Sequence, residues 1–141
     1  MPQTIADVLR TAKFITDNEL YRLVKLPARA ITLAAGIIAE IGNPFCVLIV
    51  DKDEVTLMLP DEATDEFQNR LKYATISPTN YRLITFDVVL EPTLVGFMAH
   101  ITKALAEANI SVMPFAAYSR DHIFVAEDDF DEALTTLQSL Q

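Results

Sequence analysis

A chain of 141 residues with 51% hydrophobic residues fits one compact unit, or two very small ones sharing a core, with no need of disulfides. Its net charge of −9 and lack of clustered Lys and Arg argue against nucleic acid and anionic membranes as partners, since both are gripped through cations. The start, Met1-Pro2-Gln3-Thr4, carries no signal-peptide pattern, the apolar stretch 28–41 is too short to span a bilayer, and Cys46 is the single cysteine; together these predict a cytoplasmic protein.

In residues 1–18, Ile5, Val8, Leu9 and Ala12 have helical spacing, Lys13 to Thr16 suits a short strand, and Asp17-Asn18 a turn. Leu20 to Leu26 alternates as a strand ending at Pro27. Ile31, Ala34/Ala35, Ile38 and Ile41 predict a helix over 28–41, stopped by Gly42-Asn43-Pro44. Phe45 to Val50 and Val55 to Leu59 predict a hairpin around Asp51-Lys52-Asp53. A short helix follows over 62–72, with Phe67 and Leu71 inward, then a loop at Ser77-Pro78-Thr79-Asn80.

In the second half, Tyr81 to Leu90 is a strand with Ile84, Phe86, Val88 and Leu90 on one face. Thr93 to Ala108 has a helical stripe of Leu94, Phe97/Met98, Ile101, Leu105 and Ala108. Pro92 suits its first turn and Asn109 a left-handed cap after it. Strands are expected over 110–117 and 122–126 around a turn at Ser119-Arg120-Asp121. The last helix, 128–140, turns Phe130, Ala133/Leu134, Leu137 and Leu140 inward, and its early acids suit the positive helix end.

The halves repeat. Tyr21-Arg22-Leu23 recurs as Tyr81-Arg82-Leu83 and Gly36 as Gly96, both at an offset of 60. Strand, glycine-bearing helix, hairpin and acidic helix start follow in the same order. This predicts an α+β fold of two tandem ferredoxin-like βαββαβ modules, 19–77 and 78–141, after an N-terminal extension, 1–18. The second module runs out of chain before a fourth strand, so the segment around Phe14 to Leu26 is its expected donor, which interlocks the halves. Val47/Ile49 and Cys46/Leu48/Val50 make strands apolar on both faces, which predicts that another sheet or a partner chain covers the second face.

Tyr81 to Phe86, Leu90-Glu91-Pro92-Thr93-Leu94-Val95-Gly96, Ile110-Ser111-Val112, Tyr118, Asp121 and Ile123-Phe124-Val125 resemble the C-terminal module of paired ACT-domain proteins, the branch with the cytosolic arginine sensors and many small bacterial ACT proteins. The resemblance is specific over about 81–140 and rests on order and spacing over 20–75. It implies a non-catalytic regulatory protein, a homodimer, that binds an amino acid or similar small effector at an interface between modules and acts on a regulated protein. It assigns Glu91, Thr93, Leu94, Val95 and Gly96 to the binding loop and Asp121 to the ligand side chain. Ala116-Ala117 stands where the family often has Ser-Thr, which motivates the alternative of a dimerisation module without a ligand.

Residue chemistry supports the loop separately. A strand leading into a helix N-terminus presents unpaired N–H groups that attract a carboxylate. Glu91 or Asp121 could then take an ammonium or a basic side chain. The plainer reading makes Gly96 a packing position, Thr93 a cap and Asp121 a turn residue. Asp87 is expected to pair with Arg82 or Arg22 or to face an interface, His100 shares a solvated face with Lys103 and Glu107, and Cys46 is a small core residue. No metal-ligand spacing, phosphate loop or nucleophile elbow is present, so neither a cofactor nor catalysis is expected.

Overall fold

The computed structural model describes residues 2–42 and 45–141. Asn43 and Pro44 of the expected helix stop lie outside the described residues. Two compact units emerge. Residues 19–80 form one, and Tyr81–Gln141 joins the N-terminal segment up to Asn18 in the other.

The N-terminal segment forms α1 (Ile5–Thr11) and β1 (Lys13–Thr16). Thr4 and Asp7 start α1 with a capping box. The Thr4 hydroxyl accepts from the Asp7 N–H at 3.1 Å, and the Asp7 carboxylate accepts from the Thr4 N–H at 3.3 Å.

The 19–80 unit is a full βαββαβ set: β2 (Tyr21–Pro27), α2 (Ile31–Ile41), β3 (Val47–Val50), β4 (Glu54–Pro60), α3 (Asp61–Glu66) and β5 (Thr75–Ile76). Its strands lie in the order β3-β4-β2-β5, all antiparallel, with Val24 opposite both Leu57 and Ile76. Its core joins Val24, Leu26, Val55, Leu57 and Leu59 from the sheet to Ala34 and Ile37 of α2 and to Phe67 and Leu71. Ile31, expected on the inward stripe, is 44% exposed, because α2 begins at it rather than at residue 28.

The other unit follows the same plan with β6 (Tyr81–Asp87), α4 (Phe97–Glu107), β7 (Val112–Ala116), β8 (Asp121–Ala126), one 3-10 turn at 127–129 and α5 (Phe130–Gln138). Its order is β7-β8-β6-β1, again antiparallel, with Phe14 opposite Phe86. The fourth strand thus comes from the N-terminal segment, as strand counting required. The donor is Lys13–Thr16 alone, while Tyr21–Pro27 is the first strand of its own unit. Ile84, Phe86, Ile123 and Val125 bury their side chains against Phe97, Ile101 and Leu105 of α4, Phe130, Ala133 and Leu137 of the last helix, and Val8 and Leu9 of α1. Fold class is therefore α+β with two ferredoxin-like βαββαβ units.

Asn109 holds the expected left-handed position, at φ 61°. Its N–H donates to the Ala106 carbonyl and the Ile110 N–H to the Leu105 carbonyl, both at 2.9 Å, which is a Schellman ending for α4.

One repeat match does not survive. Helices α2 and α4 are each eleven residues long, but three residues (28–30) link β2 to α2 and nine (88–96) link β6 to α4. Gly36 therefore sits mid-helix. Gly96 is the residue before α4, at φ 89° and ψ 7°. The helix expected from Thr93 starts at Phe97, so Pro92, Thr93, Leu94 and Val95 are loop.

Candidate functional site

That longer loop makes a cleft. The chain leaves β6 at Asp87, turns at Glu91 where the Leu94 N–H donates to the Glu91 carbonyl at 2.9 Å, and enters α4 through left-handed Gly96. The opposite wall is the β7–β8 turn, closed by the Ala117 N–H donating to the Arg120 carbonyl at 2.9 Å. The Leu90 N–H donates to the Ser119 carbonyl at 2.9 Å and ties the two walls together. Between them lies a volume of about 470 Å³, whose lining includes Glu91, Leu94, Gly96, Tyr118, Arg120 and Asp121. This is within the range of about 300–1,000 Å³ typical of small-molecule sites.

Of the residues assigned from sequence, Glu91, Leu94, Gly96 and Asp121 line the cleft, and Thr93 and Val95 do not. Val95 points to solvent, 85% exposed. Gly96 is not a packing position. A Cβ there would meet only Ile5 Cδ1, at 3.6 Å, an ordinary contact, and what singles out glycine is the positive φ. Phe97, Met98 and Ala99, the first turn of α4, also line the cleft. No side chain caps this helix start. Its amides carry the partial positive charge of the helix end.

Two carboxylates balance it. Asp121 opens β8 opposite Ala116 and is half-buried. Burial pushes its carboxyl pKa up, and neighbouring His122 pulls the other way. Burial holds the His122 imidazole below its ordinary value, opposed by Asp121 and reinforced by Arg120. The His122 Nδ1 lies 2.9 Å from the Thr85 hydroxyl. Glu91 is exposed, and its carboxylate accepts from the Gln3 N–H at 3.3 Å. The Gln3 side chain also binds the loop backbone. Its Oε1 accepts from the Glu91 N–H at 2.8 Å and its Nε2 donates to the Val89 carbonyl at 2.7 Å. Gln3 went unnoticed in the sequence, since nothing local relates it to a loop 86 to 88 positions away.

Asp87 pairs with neither Arg82 nor Arg22. The Arg120 Nε donates to its Oδ1 at 3.0 Å, across the strand from the turn. Arg82 instead lies over the Phe130 ring, 3.9 Å from its centroid, and donates to the Asp17 carbonyl at 2.7 Å. Arg22 pairs with Asp61 at 2.8 Å. His100 is exposed on the face where Lys103 and Glu107 pair at 3.4 Å. Cys46 is half-buried against the core of its unit, and burial raises its thiol pKa. Among the described residues no three His, Cys, Asp or Glu side chains converge on a point, and no helix is long and apolar enough to cross a membrane. The cleft thus offers hydrogen-bond donors at the α4 end and carboxylates at Glu91 and Asp121, with apolar Leu90, Leu94 and Met98 between.

Residues 76–139 match the family model of the ACT domain. No curated protein is similar to the chain in sequence. Among solved structures, a Vibrio cholerae protein of unknown function, described as a possible transport protein, is 23% identical, with a TM-score of 0.71 over 94% of this chain and 91% of that one. The regulatory subunit of aspartate kinase from Thermus thermophilus, in ligand-free form, is 15% identical, with a TM-score of 0.65 over 92% and 96%. Aspartate kinase of Clostridium acetobutylicum, an allosteric enzyme, is 16% identical with a TM-score of 0.70. The match covers 92% of this chain and 34% of that one. At these identities the likeness establishes the fold.

Proposed function

We propose that the chain is a regulatory module that binds a small zwitterionic effector, an amino acid, in the cleft of the 88–96 loop, and that it catalyses nothing. The observation that carries this is the meeting of an uncapped helix N-terminus with Glu91 and Asp121 around one volume. An α-carboxylate suits the amides of Phe97 and Met98, and an α-ammonium suits Asp121, whose raised pKa a bound cation would bring back down. The apolar residues between would receive the side chain. The fold shared with a regulatory subunit of aspartate kinase supports a regulatory role. Regulation then follows if the effector binds one arrangement of the loop and its Gln3 strap better than another, because only differential affinity shifts an equilibrium.

Thermal unfolding with each of the twenty amino acids tests this. A true effector at a hundredfold excess over Kd stabilises by about 2.7 kcal/mol, or roughly 8 °C in Tm for a chain of this length. Asp121→Asn should abolish most of that response while the protein stays folded. No rise with any amino acid refutes the reading.

One observation favours the second reading, a dimerisation module without effector. Strand β3 pairs along β4, and its Leu48, Ile49 and Val50 are exposed, with no charge or proline on the strand to protect it. Sedimentation equilibrium separates the two. This reading expects a dimer that amino acids leave unchanged and that Ile49→Lys dissociates.

A further inference from the structure

We propose that the 19–80 unit carries a second binding site, for an organic anion with a compact apolar body, in the hollow beside Tyr73. The hollow has a volume of about 330 Å³ and an apolar floor of Leu26, Pro27, Ala30 and Leu33. Arg29, Arg70 and Tyr73 stand around it.

All three side chains are exposed and open to a ligand. Tyr73 is 76% exposed, although a tyrosine ring ordinarily buries much of its apolar area. Arg29 is exposed and forms no ion pair among the described residues. Arg70 gives Nη2 to Glu40 at 2.9 Å and lies 5.4 Å from the Phe67 centroid, so its fork is held in place with other donors to spare.

Charge selects the occupant. Lys72 Nζ lies 5.3 Å from the Tyr73 centroid, and Lys25 lines the adjoining concavity that shares Leu26, Pro27 and Tyr73. Four of the chain's eleven basic residues thus surround one exposed ring in a protein of net charge −9. Asp53 and Glu54 line the concavity with Lys25 but not the hollow with Arg29. A carboxylate-sized anion meets the planar guanidinium of Arg29 in its preferred two-point geometry, and a ring or branched chain then covers the Tyr73 face and the Leu26–Leu33 floor. A cation or a fully polar anion would gain only one of the two halves. The site shares no residue with the 88–96 cleft and stands whether or not an effector binds there.

Heteronuclear NMR titration of the full chain tests the site, with phenylacetate, phenylacetamide and acetate as probes. Phenylacetate should give saturable shifts confined to residues 26–33 and 70–75. The amide has the ring without the charge, and acetate the charge without the ring, so each should bind about tenfold more weakly or worse. Arg29→Gln and Tyr73→Ala, both at exposed positions, should each weaken phenylacetate by about tenfold, whereas Lys103→Gln, a charge loss elsewhere, should not. Saturable shifts lying elsewhere, equal binding of phenylacetamide, or full affinity in Arg29→Gln overturns the proposal.

Discussion

Replacing Gly36 and Gly96 by alanine should move stability in opposite directions, although the two stand at matching places in the sequence repeat. Gly96 has φ 89°, a conformation that costs an L-residue about 1–2 kcal/mol. The added methyl meets only Ile5 Cδ1 at 3.6 Å, so sterics add little, and part of the strain is offset because alanine has less unfolded-state freedom to lose. The net for Gly96→Ala is a loss of about 1 kcal/mol. Gly36 lies at the centre of α2, and a Cβ there meets nothing within 4 Å. Gly36→Ala should therefore gain close to the full glycine-to-alanine helix difference, about 0.8–1 kcal/mol. Urea unfolding followed by far-UV circular dichroism reads both, with Tm shifts of roughly 3 °C in opposite senses. The sites touch different cores, so the double variant should return near wild type. Shifts of the same sign would refute the claim that the two glycines hold different backbone roles.

Other expectations follow from single residues. Asn109→Val puts a β-branched residue at φ 61° and should cost about 1–2 kcal/mol, while Asn109→Gly should be neutral or slightly stabilising; equal losses in urea unfolding would contradict the Schellman ending. His122 has a folded pKa depressed by burial, so the unfolded chain binds the proton more readily. Its stabilising contribution is complete above about pH 6.5 and is lost as pH falls towards the lower folded value. Unfolding midpoints should therefore drop between pH 7 and 5, and His122→Gln should flatten that slope. An unchanged slope would place the acid sensitivity elsewhere.

Much of this protein was legible in its residues because the signals are local. The 3.6 spacing of Ile5, Val8, Leu9 and Ala12 matched α1, and Ile84 and Phe86 faced the core as alternation required. Asn109 took the left-handed cap because few other side chains tolerate it. Counting strands required a donor for the second unit, and the N-terminal segment supplied it through β1. Strand β5 escaped notice because two residues carry no periodicity; it exists because β2 offers it an edge. The start of α4 was misread for a related reason. Leu94 continues the helical stripe, and nothing nearby says that the Ser119 carbonyl and the Gln3 amide hold 89–91 as loop. Which carboxylate Arg120 pairs with, and which of Glu91, Thr93, Val95 and Asp121 face one cleft, were likewise decided by hydrogen bonds across tens of residues. Backbone preference and side-chain period act over a few residues and are written in the chain. The convergence of charges depends on which strands become neighbours, and that is set only when the sheet closes.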